Sequence, residues 1–115
     1  MTVEIWHNPR CSKSRETLKL LEEHNANANV FLYLEEQLSA TLIAEILSKL
    51  DLSPRELLRK SEDAYKTQNL KDKELSDQEL VQAMIQEPKL IQRPIVINGK
   101  NARLGRPPEQ VLEIL

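Results

Sequence analysis

Cys11 is the single cysteine of the chain, and its position favours nucleophilic chemistry. It follows a turn-forming segment, residues 7–10, and directly precedes a helical pattern that begins at Ser12. A helix N-terminus stabilises an anion by roughly 0.3–1 kcal/mol, whereas lowering a thiol pKa by two units requires about 2.7 kcal/mol. A reactive thiolate would therefore need backbone N–H donors and a nearby cation as well, and Arg10 and Arg15 are adjacent in sequence. The alternative is that Cys11 is a small buried hydrophobic side chain.

The spacing around Cys11 excludes several kinds of thiol chemistry. A C-x-x-C redox pair would need a second cysteine at Ser14, and a C-x5-R phosphate loop would need arginine at Thr17. One cysteine allows neither an internal disulfide nor a zinc site with several thiolates. Any oxyanion beside Cys11 must therefore be bound by cations from other parts of the chain.

Three arginines beside apolar or proline residues are candidates for binding an oxyanion. Arg59 follows a pair of leucines, and Arg93 and Arg106 each precede proline. A planar guanidinium binds two oxygens of a tetrahedral oxyanion at once. The alternative is that each is an ordinary solvated arginine. Arg55 and Arg103 serve as comparisons, since the local pattern distinguishes them less.

His7 and Ser14 are the polar candidates near the cysteine. An imidazole titrates near neutrality and could pair with a thiolate, but His7 could equally be a turn residue bonded to the backbone. The hydroxyls of Ser12 and Ser14 can donate hydrogen bonds to the sulfur or to a bound oxyanion. His7 and His24 lie 17 positions apart, so they form no ligand cluster and we expect no metal.

The elements that carry these residues follow from the apolar patterns. Residues 3–6 and the continuous apolar run 30–34 predict two strands, the second inside a sheet. The polar helical stretch 12–24 lies between them, so the opening is a βαβ unit and its two strands are predicted to be parallel.

The middle of the chain is predicted to be helical and the end to return to strands. Residues 61–75 are polar and predict a loop or short helix, and Asn98-Gly99 predicts a hairpin between strands 94–97 and 102–104. Pro107 or Pro108 can open a final helix. The predicted helix N-caps in the middle are Ser39, Ser53 and Ser76.

These elements predict an α/β fold with a thioredoxin-like mixed four-stranded sheet flanked by helices, and a helical insertion between strands 2 and 3. A length of 115 residues fits one domain over residues 1–115. Sixteen basic and eighteen acidic residues give a net charge of −2, which argues against bulk binding of nucleic acid. No apolar run predicts a membrane span or a signal peptide, and the lone cysteine favours a reducing cytoplasm.

The segment H-N-P-R-C-S-K-S-R at residues 7–15 resembles the H-N-P-x-C-x-x-S-R signature of the glutaredoxin-coupled arsenate reductase family. The resemblance covers essentially the whole chain, because four further motifs occur in the family's order and spacing. The chain is similar to a chromosomal subgroup with C-S-K-S-R, whereas plasmid-borne members carry Gly-Thr after the cysteine. The further motifs are residues 33–35, 57–60, 93–96 and 103–107.

The resemblance implies a role for each candidate residue. Cys11 would be the nucleophile that attacks arsenate and forms a thiol–arsenate ester. His7 and Ser14 would support the thiolate, and Pro94 resembles the cis-proline of thioredoxin-like folds. The residues that would bind the oxyanion and lower the thiol pKa are Arg59, Arg93 and Arg106.

The resemblance also implies the partners. Arsenate or a related oxyanion would be the substrate, glutathione would attack the adduct as a co-substrate, and glutaredoxin would resolve the product and release arsenite. A chain with one cysteine fits this scheme, since its electrons must come from external thiols. We expect a cytoplasmic monomer without a bound cofactor that binds neither nucleic acid nor membrane.

Two other functions remain compatible with the sequence. The chain could be a thiol-dependent reductase of another substrate. It could also be a regulator like the Spx-type transcription factors, which share this fold and bind the RNA polymerase α subunit. Many Spx proteins carry a C-x-x-C switch, which Ser14 removes here, and a complete arginine triad is expected of the reductase branch.

Overall fold

The computed structural model describes residues 2–115. The chain divides into two compact units. The first contains the residues through Glu36 together with Arg93–Leu115, and the second is Gln37–Gln92. The single domain predicted over residues 1–115 stays a prediction. Within residues 2–115, no helix is long and apolar enough to cross a membrane.

The first unit is built on a four-stranded sheet. Its strands are β1 (Thr2–Trp6), β2 (Asn27–Phe31), β3 (Ile95–Asn98) and β4 (Asn101–Leu104). They lie in the order β2-β1-β3-β4. The β1–β2 pair is parallel, whereas the β1–β3 and β3–β4 pairs are antiparallel. The predicted mixed sheet is therefore confirmed, as are its strand directions.

A helical layer packs on one face of this sheet. Helix α1 spans Ser12–Glu23, and a 3₁₀ helix spans Pro108–Ile114 where the sequence predicted a final helix. Alternation along the strands directs Val3, Ile5 and Val96 toward these helices. Each fully buried side chain of this kind contributes about 1.5–3 kcal/mol relative to an exposed one. The core residues are Val3, Ile5, Leu21, Ala26, Val96 and Val111.

The second strand differs from the prediction. The apolar run 30–34 predicted a strand inside the sheet, but β2 begins at Asn27, and Tyr33–Glu35 forms a 3₁₀ helix. Strand β2 lies at the sheet edge, where Val30 is 46% exposed. The Tyr33 ring instead stacks on Trp6 with ring centroids 5.8 Å apart, and both side chains are buried. Burial of the ring therefore accounts for Tyr33 beyond the strand, whereas Leu34 is exposed.

The predicted hairpin is confirmed between β3 and β4, with Asn98 opposite Asn101. Gly99 has a φ of +62°, a left-handed conformation that glycine adopts without a steric penalty. The peptide bonds before Pro94 and Pro107 are both cis.

The second unit carries the helical insertion. Its helices are α2 (Ala40–Leu50), α3 (Pro54–Leu57), α4 (Asp63–Thr67) and α5 (Asp77–Gln86), followed by a 3₁₀ helix at Pro88–Leu90. The predicted N-caps are confirmed, because each serine side chain accepts a backbone N–H of the first turn. Those at Ser53 and Ser76 are full capping boxes.

The backbone around Arg59 is held within this unit by pairing with a later segment. The Arg59 N–H donates to the Leu90 carbonyl at 2.7 Å, and the Gln92 N–H donates to the Leu57 carbonyl at 2.9 Å. Leu58 and Ile91 form an antiparallel bridge between these bonds.

Arg55 joins α3 to the segment that follows α4. Its Nη1 donates to the Leu70 carbonyl at 2.8 Å, and its Nη2 donates to the Asp72 carbonyl at 2.9 Å. Arg103 is the second comparison arginine. Its Nε donates to Glu113 Oε1 at 3.0 Å, and its Nη1 donates to the Ala102 carbonyl at 2.8 Å. Both arginines therefore have structural partners.

We expect Arg55→Ala to lower the free energy of unfolding by about 1.5–3 kcal/mol, because a hydrogen bond from a charged donor contributes about that much. Urea denaturation measures the change. Arg103→Ala is the control, since an ion pair with an exposed carboxylate contributes less than about 1 kcal/mol. Equal losses from the two substitutions would contradict a special role for Arg55.

Candidate active site

Cys11 occupies the N-cap position of α1, with extended backbone angles of −94° and 122°. Its N–H donates to the Asn8 carbonyl at 3.0 Å, and its carbonyl accepts the Arg15 N–H at 3.0 Å. The turn and the helix thus meet at this residue. The side chain is partly exposed, so a small molecule can approach the sulfur at the positive end of the helix.

Several interactions act on the pKa of the Cys11 thiol. Burial raises this pKa, but the backbone N–H of Ser14 and the Arg93 guanidinium, which donates a hydrogen bond to the sulfur, outweigh that effect. The positive charge of Arg93 and the backbone N–H of Lys13 act in the same direction. The pKa of Cys11 is consequently lowered, which increases the thiolate fraction at neutral pH. A partly exposed thiol with a lowered pKa favours a reactive cysteine over a small buried hydrophobic side chain.

The β3–β4 hairpin accounts for the pairing of Arg93 with Arg106. Ile95 pairs with Leu104, so the chain before β3 and the chain after β4 lie side by side. Arg106 Nη1 donates to the Arg93 carbonyl at 3.1 Å. Two predicted oxyanion ligands are therefore adjacent, and one of them contacts the sulfur.

Arg59 belongs to the second unit, and its role at Cys11 stays a prediction. Its Nε lies 3.3 Å from Glu62 Oε1, and both side chains are 24% exposed. The guanidinium is therefore held near a carboxylate in its own unit.

His7 and Ser14 form a buried polar pair. His7 Nδ1 lies 2.6 Å from Ser14 Oγ, and the Asn8 N–H donates to the same Oγ at 3.0 Å. A neutral His7 with its proton on Nε2 accepts the Ser14 hydroxyl at Nδ1. Burial and the nearby charge of Arg15 lower the pKa of His7, which favours this neutral form. His7 thus bonds to Ser14 rather than to a backbone group of the turn.

The structure refines the expectation for Ser14. The sequence suggested a hydroxyl that donates to the sulfur, but this hydroxyl bonds to His7 and Asn8, and the backbone N–H of Ser14 acts on the thiol. The side chain therefore anchors the first turn of α1.

Arg15 holds the turn before Cys11, a function that sequence reasoning missed. Its Nη1 donates to the Pro9 carbonyl at 2.8 Å, while Asn8 Oδ1 accepts the Arg10 N–H at 3.0 Å. Because proline precedes Arg10, the turn has few backbone donors of its own. The small number of backbone donors could have indicated from the sequence that a side chain must stabilise this turn. Across residues 2–115, no group of three metal-ligating side chains is present.

A family model described as ArsC family matches residues 6–114, which include Cys11, Arg93 and Arg106. The chain belongs to the ArsC family. The recognition made from the motif at residues 7–15 is therefore confirmed.

Similar proteins span the whole chain. The uncharacterized protein YfgD of Escherichia coli K12 is 54% identical over 98% of this chain and 96% of its own length. An arsenate reductase of Haemophilus influenzae is 48% identical over the full length of both chains. A solved arsenate reductase from Vibrio cholerae matches this ArsC-family chain with a TM-score of 0.97 and 51% identity, covering 100% and 98% of the two chains.

We expect Arg93→Ala to raise the Cys11 pKa, because the thiolate loses a hydrogen bond and a positive charge. A charged hydrogen bond contributes about 1.5–3 kcal/mol, and less near solvent, so iodoacetamide alkylation at pH 7 should slow by about three- to tenfold. The pH dependence of alkylation measures the effect. Arg10→Ala, next to the cysteine, is the control, and an equal effect there would refute a specific contact.

We expect His7→Gln to flatten the pH dependence of stability below neutrality. Since the folded pKa of His7 lies below its ordinary 6.5, the unfolded chain binds more protons between these two values. Stability from His7 is therefore present above about pH 6.5 and is lost as the pH falls through the lowered pKa. Urea midpoints at several pH values measure it. A His7→Gln variant that keeps the wild-type pH dependence would contradict this assignment.

Proposed function

We propose that this ArsC-family protein is an arsenate reductase with Cys11 as its nucleophile. The observation that carries the proposal is the hydrogen bond from Arg93 to a sulfur at the start of α1, in a chain that belongs to this family. The thiolate is the nucleophilic form of cysteine, and a lowered pKa supplies it near neutral pH. The relatives named arsenate reductases support arsenate as the substrate.

The proposed first step joins sulfur to arsenic. The Cys11 thiolate attacks arsenate, an arsenate oxygen leaves as water after it is protonated, and a thiol–arsenate ester forms. Thiolate and arsenate are both anions, so their approach requires positive charge between them. Arg93 contacts the sulfur and Arg106 lies beside it, so both are suitable for binding the oxyanion. Arg59 is proposed as the third ligand from the family motif.

His7 and Ser14 are proposed as positioning residues in this step. The bonds of Ser14 Oγ to His7 and Asn8 hold the first turn of α1 against the preceding loop. That anchorage keeps the Ser14 N–H directed at the sulfur. Such preorganised donors need no rearrangement when charge develops on the adduct.

The electrons are proposed to come from external thiols. Reduction of arsenic from the pentavalent to the trivalent state takes two electrons, and one cysteine cannot supply them as an internal disulfide. Glutathione therefore acts as a co-substrate: its sulfur bonds to arsenic and a protonated oxygen leaves as water. The glutaredoxin thiolate then attacks the glutathione sulfur and forms a mixed disulfide, and the electron pair of the broken As–S bond stays on arsenic, which becomes trivalent. Water hydrolyses the remaining bond between arsenic and Cys11, so arsenite leaves and the Cys11 thiolate is restored. We propose, as expected from the sequence, a cytoplasmic single-domain monomer without a bound cofactor.

We expect the purified protein to reduce arsenate when glutathione and glutaredoxin are supplied, and Cys11→Ser to abolish this activity, because a serine hydroxyl is not ionised at neutral pH. Arsenite release measures turnover. We expect Arg93→Ala to lower kcat/KM by at least about tenfold through the loss of a charged contact. The control is Arg10→Ala, which should retain activity. Full activity in Cys11→Ser would refute the mechanism.

A further inference from the structure

Gly105 lies where a larger residue does not fit. A Cβ atom at this position would lie 2.5 Å from Thr17 Oγ1, 2.7 Å from Pro94 Cγ and 3.2 Å from Pro94 Cδ. Carbon atoms in favourable contact are about 3.5–4.0 Å apart, so a methyl group would require a displacement of about 1 Å. Thr17 and Pro94 are both buried, and the proline ring is rigid, so neither can simply rotate away.

The two glycines of the chain are required for different reasons. Gly99 adopts a positive φ of +62° in the β3–β4 turn, and a Cβ there would meet nothing within 4 Å. Gly105 is buried and is restricted by the space around it. Its lack of a side chain allows the backbone after β4 to approach α1 closely.

This close contact joins the two elements that carry the site. Thr17 lies on α1, six residues after Cys11, and its hydroxyl donates to the Lys13 carbonyl at 2.8 Å. On the other side, the Gly105 N–H donates to the Pro94 carbonyl at 2.9 Å. Pro94 directly follows the arginine that contacts the sulfur.

We propose that Gly105 and Thr17 are positioning residues that set the separation between the Cys11 sulfur and the Arg93 guanidinium. Thr17 is the residue of α1 that Gly105 contacts, and the missing side chain of Gly105 allows the backbone to lie close to it. Gly105 also bonds to Pro94, so the distance between the backbone after β4 and α1 fixes the position of Pro94 and of the adjacent Arg93. A displacement of about 1 Å is enough to weaken a hydrogen bond strongly and can lower activity about a hundredfold. The inference deepens the proposed function, since the same thiolate would attack arsenate.

The first test compares the two glycines by the pH dependence of Cys11 alkylation with iodoacetamide, in the full chain without arsenate. We expect Gly105→Ala to shift the alkylation curve to higher pH and to slow alkylation at pH 7 by about three- to tenfold, as expected for the loss of the partly solvated Arg93 contact. Gly99→Ala is the matched control. It should lose stability, because alanine disfavours a positive φ, but keep the wild-type curve. A folded Gly105→Ala with the wild-type curve would overturn the proposal.

A Thr17 series tests the same contact if Gly105→Ala does not fold. Thr17→Val places a larger methyl group where Oγ1 meets Gly105, so we expect slower alkylation at pH 7. Thr17→Ser keeps Oγ1 and should retain the wild-type curve. Thr17→Ala removes the bond to Lys13 without adding bulk, and it should shift the curve less than valine does. Equal shifts in the valine and alanine variants, or none in either, would overturn the proposal.

Alkylation involves no arsenate, so this inference and the proposed function fail independently. A wild-type protein that does not reduce arsenate would refute the proposed function, whatever the alkylation curves show. If the wild-type protein does reduce arsenate, turnover in the Gly105→Ala variant provides a second readout of the positioning role. We expect its kcat/KM to fall with the alkylation rate, while Gly99→Ala retains the wild-type value. A Gly105→Ala variant with unchanged kcat/KM would contradict the positioning role.

Discussion

The hydrogen bond from the Arg93 guanidinium to the Cys11 sulfur is the interaction on which the proposed chemistry depends. Burial alone would keep the thiol protonated, and a helix N-terminus is too weak to reverse that effect by itself. The backbone N–H groups of Ser14 and Lys13 act together with the arginine. The fold must therefore hold a side chain from the start of β3 against the first turn of α1.

The connections around the hairpin meet this requirement. Pairing of β3 with β4 places Arg106 beside Arg93, and Gly105 packs between Pro94 and Thr17. The Gly105 N–H bond to the Pro94 carbonyl and the rigid proline ring restrict the backbone in this region. A guanidinium mounted on such a frame loses less entropy when it binds a thiolate or an oxyanion.

The polar pair His7–Ser14 anchors the first turn of α1 to the loop before Cys11. It is buried, and the Asn8 N–H bonds to Ser14 Oγ and so ties the turn to α1, while burial favours neutral His7. In the second unit, backbone pairing with residues 90–92 fixes the chain at Arg59. Each proposed arginine is thus carried by a backbone segment that has hydrogen bonds of its own.

The sequence by itself determined the features that depend on neighbouring residues. Cys11 at a turn–helix junction, the serine caps and the Asn98-Gly99 hairpin were all predictable, because capping and turn formation act over a few residues. The tertiary structure alone decided that β2 begins earlier, with Tyr33 buried on Trp6. It also decided which Ser14 group acts on the sulfur, and why position 105 is glycine. Those outcomes depend on contacts between distant segments, whose packing no local pattern encodes.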